Sequence, residues 1–521
     1  MAAVVFNSYT ESRLEPLTKR PALGTLKGVM ANQFGRVVKF RCTSRALVLV
    51  LGTGLTLACS SSTPGTSPTD AAGAAGVTGE NAGGNAGAAS TSTVTFHKDV
   101  EPLLQRSCQS CHVPGGIAPF PLTTYAESRS YGPAMVGDTR SRVMPPWHAQ
   151  NTDECQVELG WKDDTRLSDA EIAVFAAWQE AGLPEGDPKD APPPREQAPG
   201  LPGVQLELKP SLPYQLAPGG DEFRCFILDP QLDKDSYVNG VFVVPGNPAV
   251  VHHALVFTDP NRKSLSNVQN GESSYDCFGG ARVADSDLLT AWTPGGIPLE
   301  YPSSIAAPIT AGSLLVMQVH YHPHGATDVA TDATTVQLRF SDTAPEYEAK
   351  TALLGNFKTT LPSGDGLLPG PGDPASGPAF MIPANVSGHT ETMQWTFRSV
   401  KAGASAPRLY GIGGHMHYVG VDEKVTLTRA DGSSSCLMQI PHWDFDWQRR
   451  YDYDAPIEQL PQLNPGDKLG IRCTYDNTMA NDKVAESLIE QGIAAPREVD
   501  LGETTLDEMC LANLTALYPA R

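Results

Sequence analysis

Downstream of residue 250, histidines fall into three tight groups: His252-His253, His320/His322/His324 and His415-Met416-His417. On a β-strand, residues two apart share a face, so His415 and His417 can reach one metal ion, as can His320 and His322. Neighbours such as His252 and His253 point to opposite faces, and joint ligation there requires a strand end or a bulge. Hydrogen-bonded histidines at a sheet edge are the structural alternative, but three such groups in one chain favour metal binding.

A methionine ligand would narrow the choice of metal. Imidazole suits copper and zinc, whereas a thioether selects Cu(I). Met509 is the candidate, because the adjacent Cys510 can pin its strand through a disulfide. The alternative is that Met509 fills the core, as most lone methionines do.

A second constellation, Cys108-Gln109-Ser110-Cys111-His112, predicts covalent attachment of a c-type haem with His112 as the proximal ligand. A redox Cys-x-x-Cys and a zinc half-site are the alternatives. The first lacks a thioredoxin-like βαβ context, and the second lacks a matching pair of ligands nearby.

The distal haem ligand is expected downstream of His112. Arg142-Val143-Met144-Pro145-Pro146-Trp147 resembles the methionine loop of small bacterial cytochrome c domains, which makes Met144 the first choice. Met135 and His148 remain rivals. Ligation by His and Met raises the haem potential and suits electron transfer.

The elements that must position these residues show two kinds of sequence pattern, helical and β. Val94–Ser107 and Leu167–Ala181 carry apolar residues at helical spacing, and Ser168 with Glu171 forms a capping-box signature. After a Pro-rich stretch the texture becomes β, with predicted strands at Ser236–Val244, Ser313–Tyr321, Thr335–Phe340, Thr392–Phe397 and Lys424–Thr428.

We therefore expect a multidomain protein, in which a small all-α cytochrome c-like domain precedes two antiparallel β-sandwich, jelly-roll-like domains. The haem domain is assigned to residues 94–186 and a Pro-rich linker to 187–204. The β domains are assigned to residues 205–360, with the three-histidine site, and to residues 361–521, with the His/His/Met site.

The N-terminal region indicates export. Ala46–Ala58 is apolar, follows basic residues and ends at Cys59, as in a signal peptide with a lipoprotein box; it is too short to span a bilayer. We assign residues 1–59 to the signal, with Met30 as an alternative start, and the Ser/Gly/Ala-rich residues 60–93 to a disordered linker. The expected location is the periplasm or outer membrane, with cell-surface display as a variant, and membrane contact only through the N-terminal lipid.

Charge and cysteine usage agree with this location. A net charge of -20 and the lack of a basic cluster downstream of Cys59 argue against a nucleic-acid partner. Beyond Cys42, Cys59 and the haem cysteines, six remain, an even number typical of disulfides in exported proteins. The sequence alone leaves their pairing open. The six cysteines are Cys155, Cys225, Cys277, Cys436, Cys473 and Cys510.

Four ordered motifs resemble the copper type II ascorbate-dependent monooxygenases, the family of peptidylglycine hydroxylating monooxygenase and dopamine β-monooxygenase: Val251-His252-His253-Ala254, Gln318-Val319-His320-Tyr321, Gly414-His415-Met416-His417 and Asp507-Glu508-Met509-Cys510. The resemblance spans residues 205–521. It implies two copper ions, one bound by His252, His253 and His320 and the other by His415, His417 and Met509. It also implies two β-sandwiches with the coppers facing each other across a solvent-filled cleft.

The resemblance has further consequences for single residues. It implies the disulfides Cys225–Cys277 and Cys473–Cys510 and leaves Cys155 and Cys436 unassigned. It also gives structural roles to the remaining downstream histidines, His322, His324, His389 and His442. Peptide-amidating members bind a substrate carboxylate through an Arg, an Asn and a Tyr at positions that are Gly413, Leu511 and Asn513 here, so peptide amidation is not expected.

The implied activity is hydroxylation of a C–H bond with O2. The copper held by His415, His417 and Met509 would activate oxygen and abstract hydrogen from the substrate. The three-histidine copper would supply an electron, and ascorbate or another reductant would reduce both copper ions. The substrate is an unidentified small or peptide-like molecule. We expect the fused haem, served by a redox partner protein, to relay electrons to the His252/His253/His320 copper. A non-catalytic electron-transfer or copper-binding lipoprotein is the alternative.

Overall fold

The computed structural model describes residues 93–520 apart from residues 115, 117, 196–199, 217–220, 269–271, 278–279, 295, 323–328, 371, 400–404, 503 and 505. The expected signal peptide with Cys59 and nearly all of the linker lie outside the described residues. His324 also lies outside them.

The N-terminal described part is helical. A π-helical turn at Phe96–Val100 continues directly into helix α1. This part contains four α-helices, with one short strand between the third and the fourth: α1 (Glu101–Ser107), α2 (Tyr125–Ser130), α3 (Gly132–Arg140), β1 (Gly160–Trp161) and α4 (Asp169–Glu180). The capping box predicted for α4 is confirmed: Ser168 Oγ accepts from the Glu171 backbone N–H, and the Glu171 carboxylate accepts from the Ser168 N–H. Apolar faces of these helices enclose a small core that includes Phe96 and Trp178.

The first β part is a sandwich. Its strands are β2 (Leu206–Leu208), β3 (Tyr214–Leu216), β4 (Glu222–Leu228), β5 (Ser236–Val244), β6 (Val251–Asp259), β7 (Ser274–Asp276), β8 (Leu288–Trp292), β9 (Leu299–Glu300), β10 (Ile305–Ile309), β11 (Leu314–Tyr321), β12 (Ala330–Asp332), β13 (Thr335–Phe340) and β14 (Tyr347–Gly355). One layer contains β4, β11, β6 and β8, and the other contains β2, β13, β5 and β10. Alternating apolar residues of both layers form one core.

The second β part is also a sandwich. Its elements are β15 (Gly366–Leu367), β16 (Met381–Ile382), β17 (Ser387–Thr396), β18 (Arg408–His415), β19 (Gly420–Thr428), β20 (Ser434–Ile440), β21 (Arg450–Asp454), β22 (Lys468–Asp476), α5 (Asp482–Glu490), β23 (Val499–Asp500) and β24 (Leu511–Pro519). The layer β21-β18-β24-β14 packs over the layer β15-β17-β22-β19-β20.

Antiparallel pairing dominates both β parts, with β10–β14 as a parallel pair. The expected class of antiparallel sandwiches behind a small helical region is therefore confirmed at that level. Strand β14, placed by the sequence in the first β domain, pairs along its whole length with β24 and only at Thr351↔Leu288 with β8. It joins the two sandwiches.

A segment assigned to the haem domain packs against the second sandwich. Trp147 and Trp161 are 7 % exposed and belong to that sandwich's core, and β1 pairs with β21. A disulfide between Cys155 and Cys436 links the same two regions. The pairings implied by the resemblance, Cys225–Cys277 and Cys473–Cys510, are also present.

Among the described residues, none of the helices has both the length and the apolar composition needed to cross a membrane.

Candidate metal centre

The first histidine group lies where β6 begins and β11 ends. His320 pairs with His253, and the register then shifts so that Tyr321 pairs with Val251. This bulge turns His252 toward the same side as His253. A strand end or a bulge is what two adjacent histidines require in order to bind one metal. His252 Nδ1 lies 3.2 Å from His253 Nδ1, and His320 Nδ1 lies 3.4 Å from the same atom.

These separations fit one metal ion. Three nitrogens at about 2.0 Å from a common ion lie about 3.3 to 3.5 Å apart. Burial, followed by the neighbouring imidazoles, holds the pKa values of His252 and His253 well below their ordinary range, and burial lowers the pKa of His320. The three rings are therefore neutral near pH 7, as metal ligation requires.

Asp221 supports this group from outside. Its Oδ1 lies 3.3 Å from His320 Nε2, the nitrogen that faces away from the other histidines. The same oxygen lies 2.5 Å from His322 Nδ1, and this hydrogen bond raises the pKa of His322. His322 thus contacts a carboxylate, in keeping with a supporting role. Phe223 stacks on His320 with ring centroids 4.2 Å apart.

The second group lies at the end of β18. His415 Nδ1 donates to Gln448 Oε1 at 2.6 Å, and Gln448 Nε2 donates in turn to the Phe445 carbonyl oxygen at 3.0 Å, which fixes the orientation of the amide. His417 Nδ1 donates to the Asp507 carbonyl at 3.0 Å. With both Nδ1 atoms engaged, the Nε2 atoms are the ones available to a metal. Burial lowers the pKa of His415 to about 4 and that of His417 to about 3.

Met509 is anchored beside this pair through its backbone. Glu508 Oε1 accepts from the backbone N–H groups of both His417 and Met509. The Tyr475 hydroxyl donates to the Met509 carbonyl at 3.0 Å, and the Cys473–Cys510 disulfide fixes the next residue. Strand pairing then sets His415 opposite Leu511, two residues beyond Met509.

The two histidine groups are close to each other. The His253 and His415 rings lie 6.0 Å apart between centroids. Phe445 contacts both groups, stacking on His252 at 4.6 Å and meeting His417 edge-on at 6.1 Å. The sites are therefore adjacent in this conformation, in contrast to the open cleft that the resemblance implies. Beside them lies a cavity of about 130 Å³.

The position two residues before His415 has no space for a side chain. A Cβ on Gly413 would lie 2.4 Å from Asn513 Nδ2 and 3.0 Å from the Arg449 carbonyl oxygen. A side chain at this position, such as the arginine of amidating enzymes, would have to displace the Asn513 side chain and would crowd the Arg449 carbonyl oxygen.

The predicted haem residues are grouped at the end of α1. Cys108 and Cys111 are not disulfide-bonded, and burial raises the pKa of the Cys108 thiol to about 12. His112 Nδ1 donates to the Phe120 carbonyl at 3.0 Å, so Nε2 is the atom available to a metal. Burial lowers the pKa of His112. Free thiols and an imidazole oriented by a carbonyl fit the requirements of a c-type haem.

The three candidates for the distal ligand have different surroundings. Met135 is 8 % exposed within the helical core. His148 donates a hydrogen bond to the backbone carbonyl of Trp447 in the second sandwich, and burial lowers its pKa. Met144 is partly buried after α3, its N–H bonded to the Asp138 carbonyl.

Two other histidines were given structural roles by the resemblance. His389 Nε2 lies 3.0 Å from Glu391 Oε1, and His442 is exposed. The sequence did not single out Asp221, Phe445, Gln448 or Glu508, although each contacts a predicted ligand. Nothing in their local pattern distinguishes them from ordinary loop residues.

Comparisons with known proteins assign no relative. No family model matches the chain, and no curated protein matches it. Among solved structures, the major capsid protein P2 of bacteriophage PM2 is 9% identical with a TM-score of 0.22, covering 61% of this chain and 98% of that one. Allantoicase is 10% identical with a TM-score of 0.15, covering 50% and 77%. Similarity at this level indicates neither family nor function.

Proposed function

We propose that this protein is a copper-dependent monooxygenase that hydroxylates a C–H bond of a small substrate. The observation that carries the proposal is the meeting of two unequal groups: three converging Nδ1 atoms on one side, and two imidazoles with the backbone of Met509 anchored beside them on the other. The first group alone would also fit zinc. A thioether ligand from Met509 at the second group would favour copper in its reduced state.

Copper in these sites would supply one-electron chemistry with O2. The chain's own residues set the conditions for it. Gln448 and the Asp507 carbonyl fix the tautomers of His415 and His417, and Glu508 holds the backbone of Met509 in place. Phe445, which is 5 % exposed, covers the space between the groups and limits the access of water.

The adjoining cavity is the natural substrate site. Its lining combines apolar and aromatic residues, such as Val250, Val251, Tyr418 and Phe445, with the polar or charged residues His252, His322, Asp446 and Gln448. With Gly413 in place of an anchoring arginine, a carboxylate has no bidentate partner there. A small substrate matches this lining better than a peptide carboxylate does.

The helical part is proposed to be a cytochrome c-like domain with haem bound through Cys108, Cys111 and His112, and with Met144 as the distal ligand. Ascorbate or a redox partner protein would provide the electrons. The three disulfides support an exported protein, and a lipid on Cys59 would tether it to the membrane.

The test compares Met509→Ile with Met479→Ile, a control at a 46 % exposed methionine. Wild type and the control should bind two coppers per chain, show sulfur scattering in the Cu(I) X-ray absorption spectrum, and incorporate 18O from 18O2 into a product when given ascorbate and an extract of candidate substrates. Met509→Ile should lose the sulfur signal and 18O incorporation while keeping the haem spectrum. Unchanged incorporation in Met509→Ile would refute the assignment, and copper binding without incorporation in wild type would support the non-catalytic alternative.

A further inference from the structure

The chain that follows Met144 is attached to the second sandwich beside the histidine groups. We call residues 145–149 the docking segment. Arg449 Nη1 donates to the Pro146 carbonyl at 3.5 Å, and its guanidinium lies 5.8 Å above the Trp147 ring. Trp147 meets Tyr451 edge-on at 5.2 Å, and the Tyr451 hydroxyl accepts from the His148 N–H. The rings of Trp147 and Tyr451 are 7 % and 1 % exposed, so this contact is dry.

The same contact continues to one histidine group. Arg449 is bonded in sequence to Gln448, whose side chain accepts the hydrogen bond from His415 Nδ1 at 2.6 Å. From the Pro146 carbonyl to His415, the connection therefore consists of two hydrogen bonds and the covalent bonds of two consecutive residues.

The way to the other histidine group is less direct. Gln448 is hydrogen-bonded to the Phe445 carbonyl, and the Phe445 ring stacks on His252 with centroids 4.6 Å apart. This last step is a ring contact without a hydrogen bond or covalent bond. Within the part of the chain that the structure describes, none of the hydrogen bonds and ring contacts of the docking segment reaches His252, His253 or His320. The His415 side is thus better connected to Met144.

We propose that electrons from the haem enter at the His415/His417/Met509 copper, through the docking segment and Arg449–Gln448, and not at the three-histidine copper. This inference rests on the proposed function and changes its expected order of electron delivery. In each transfer one electron leaves ferrous haem, which becomes ferric, and reduces one cupric ion to cuprous; no bond is formed or broken and no proton moves. A one-electron reductant such as ascorbate or a reduced cytochrome restores ferrous haem.

Arg449 is a positioning residue in this route. It touches neither ligand group through its guanidinium, but it holds the docking segment against the residue that orients His415. Arg166 offers a matched comparison, because its guanidinium also lies 5.8 Å over the Trp147 ring. Arg166 pairs with Asp164, and among the hydrogen bonds of the described residues the Pro146 carbonyl is bonded by Arg449 and not by Arg166.

The first experiment identifies the copper that receives the electron. The full chain, loaded with haem and copper, is fully oxidised, and its haem is reduced by a flash-generated flavin semiquinone while haem absorbance is followed. His253→Ala removes a ligand of one copper, and His417→Ala removes a ligand of the other. We expect fast haem reoxidation to persist in His253→Ala and to be lost in His417→Ala. The opposite pattern would overturn the proposed entry point.

Copper analysis and electron paramagnetic resonance of the same samples separate the two levels of failure. If wild type binds no copper, the proposed function fails. If wild type binds two coppers and reoxidation follows the three-histidine site, only the entry point fails.

The second experiment tests the connection itself. Arg449→Met should slow haem reoxidation several-fold, Arg449→Lys should slow it less, and Arg166→Met should leave the rate at that of wild type. The haem potential and the copper resonance spectrum should stay unchanged in all three, which a general loss of structure would not allow. An unchanged rate in Arg449→Met and Arg449→Lys, or equal slowing by Arg166→Met, would refute the role of Arg449.

Discussion

Replacing Gln448 with Leu should weaken copper binding at the His415/His417 site. Leu has a similar volume but removes the acceptor of the 2.6 Å bond from His415 Nδ1. Gln448 is 7 % exposed, so water cannot easily replace the amide. A buried donor left without an acceptor costs about 1–3 kcal/mol. Loss of such an orienting contact typically lowers metal affinity about 10–100-fold, or about 1.4–2.8 kcal/mol, so the two estimates agree.

The assay is competition between the protein and a Cu(I) chelator, with the two sites distinguished by the sulfur ligand of one of them. Gln448→Glu keeps an acceptor for His415 and should retain most of the affinity. Gln439→Leu is the control, because Gln439 is also a buried glutamine, 4 % exposed, but it bonds Thr152 and Asp422 and no predicted ligand. The three-histidine site serves as an internal reference in every variant.

The Cu(I) affinity of the His415/His417 group should be highest in wild type and Gln439→Leu, close to these in Gln448→Glu, and lowest in Gln448→Leu. Equal Cu(I) affinity in Gln448→Leu and wild type would show that Gln448 does not orient His415. Equal weakening of both copper sites would show a loss of structure instead of a local effect.

Three further outcomes are expected. Burial holds the pKa of His415 at about 4 and that of His417 at about 3, below the ordinary 6.5, so the unfolded metal-free chain binds these protons at a higher pH than the folded chain does. The free energy of unfolding in urea should therefore fall as the pH drops from 6.5 toward 4. The fall should be less steep in His417→Ala. Gly413→Ala should lower the free energy of unfolding in urea by about 1–3 kcal/mol, since its Cβ would lie 2.4 Å from Asn513 Nδ2, and adding Asn513→Ala should recover part of the loss. With His253 and His415 rings 6.0 Å apart, the fully oxidised two-copper protein should show dipolar broadening of its resonance spectrum, whereas a simple sum of the two singly loaded spectra would indicate separated sites.

The sequence predicted those features that depend on local pattern. The alternation in Ser236–Val244 and Thr335–Phe340 gives strands with those bounds, and the Ser168 cap begins α4. It also stated the condition under which His252 and His253 can share a metal, and the register shift beside His320 satisfies that condition.

Long-range contacts could not be predicted in the same way. Gln448 and Asp221 lie outside the strands, where a polar residue is ordinarily solvent-exposed, and only the folded chain brings them to His415 and His320. The Cys155–Cys436 pairing joins residues 281 positions apart, and no spacing rule selects it from the other pairings. For the same reason, no local sequence pattern predicts that residues 147–161 pack against the second sandwich.

The irregular residues 441–449 have a different physical role from the strands around them. Strand pairing fixes the first histidine group through β6–β11 and fixes His415 through β18–β24, whereas bonds to Glu508 and to the Asp507 carbonyl hold His417. Between the groups, contacts come from side chains of this segment: Phe445 touches His252, and Gln448 bonds His415. Side-chain contacts reorganise at lower cost than a hydrogen-bonded ladder, so substitutions here should alter the coupling between the sites more than the ligand geometry within either site. The neighbouring Arg449–Pro146 contact also depends on one side chain, although β1–β21 pairing and the Cys155–Cys436 disulfide hold the same region to the second sandwich.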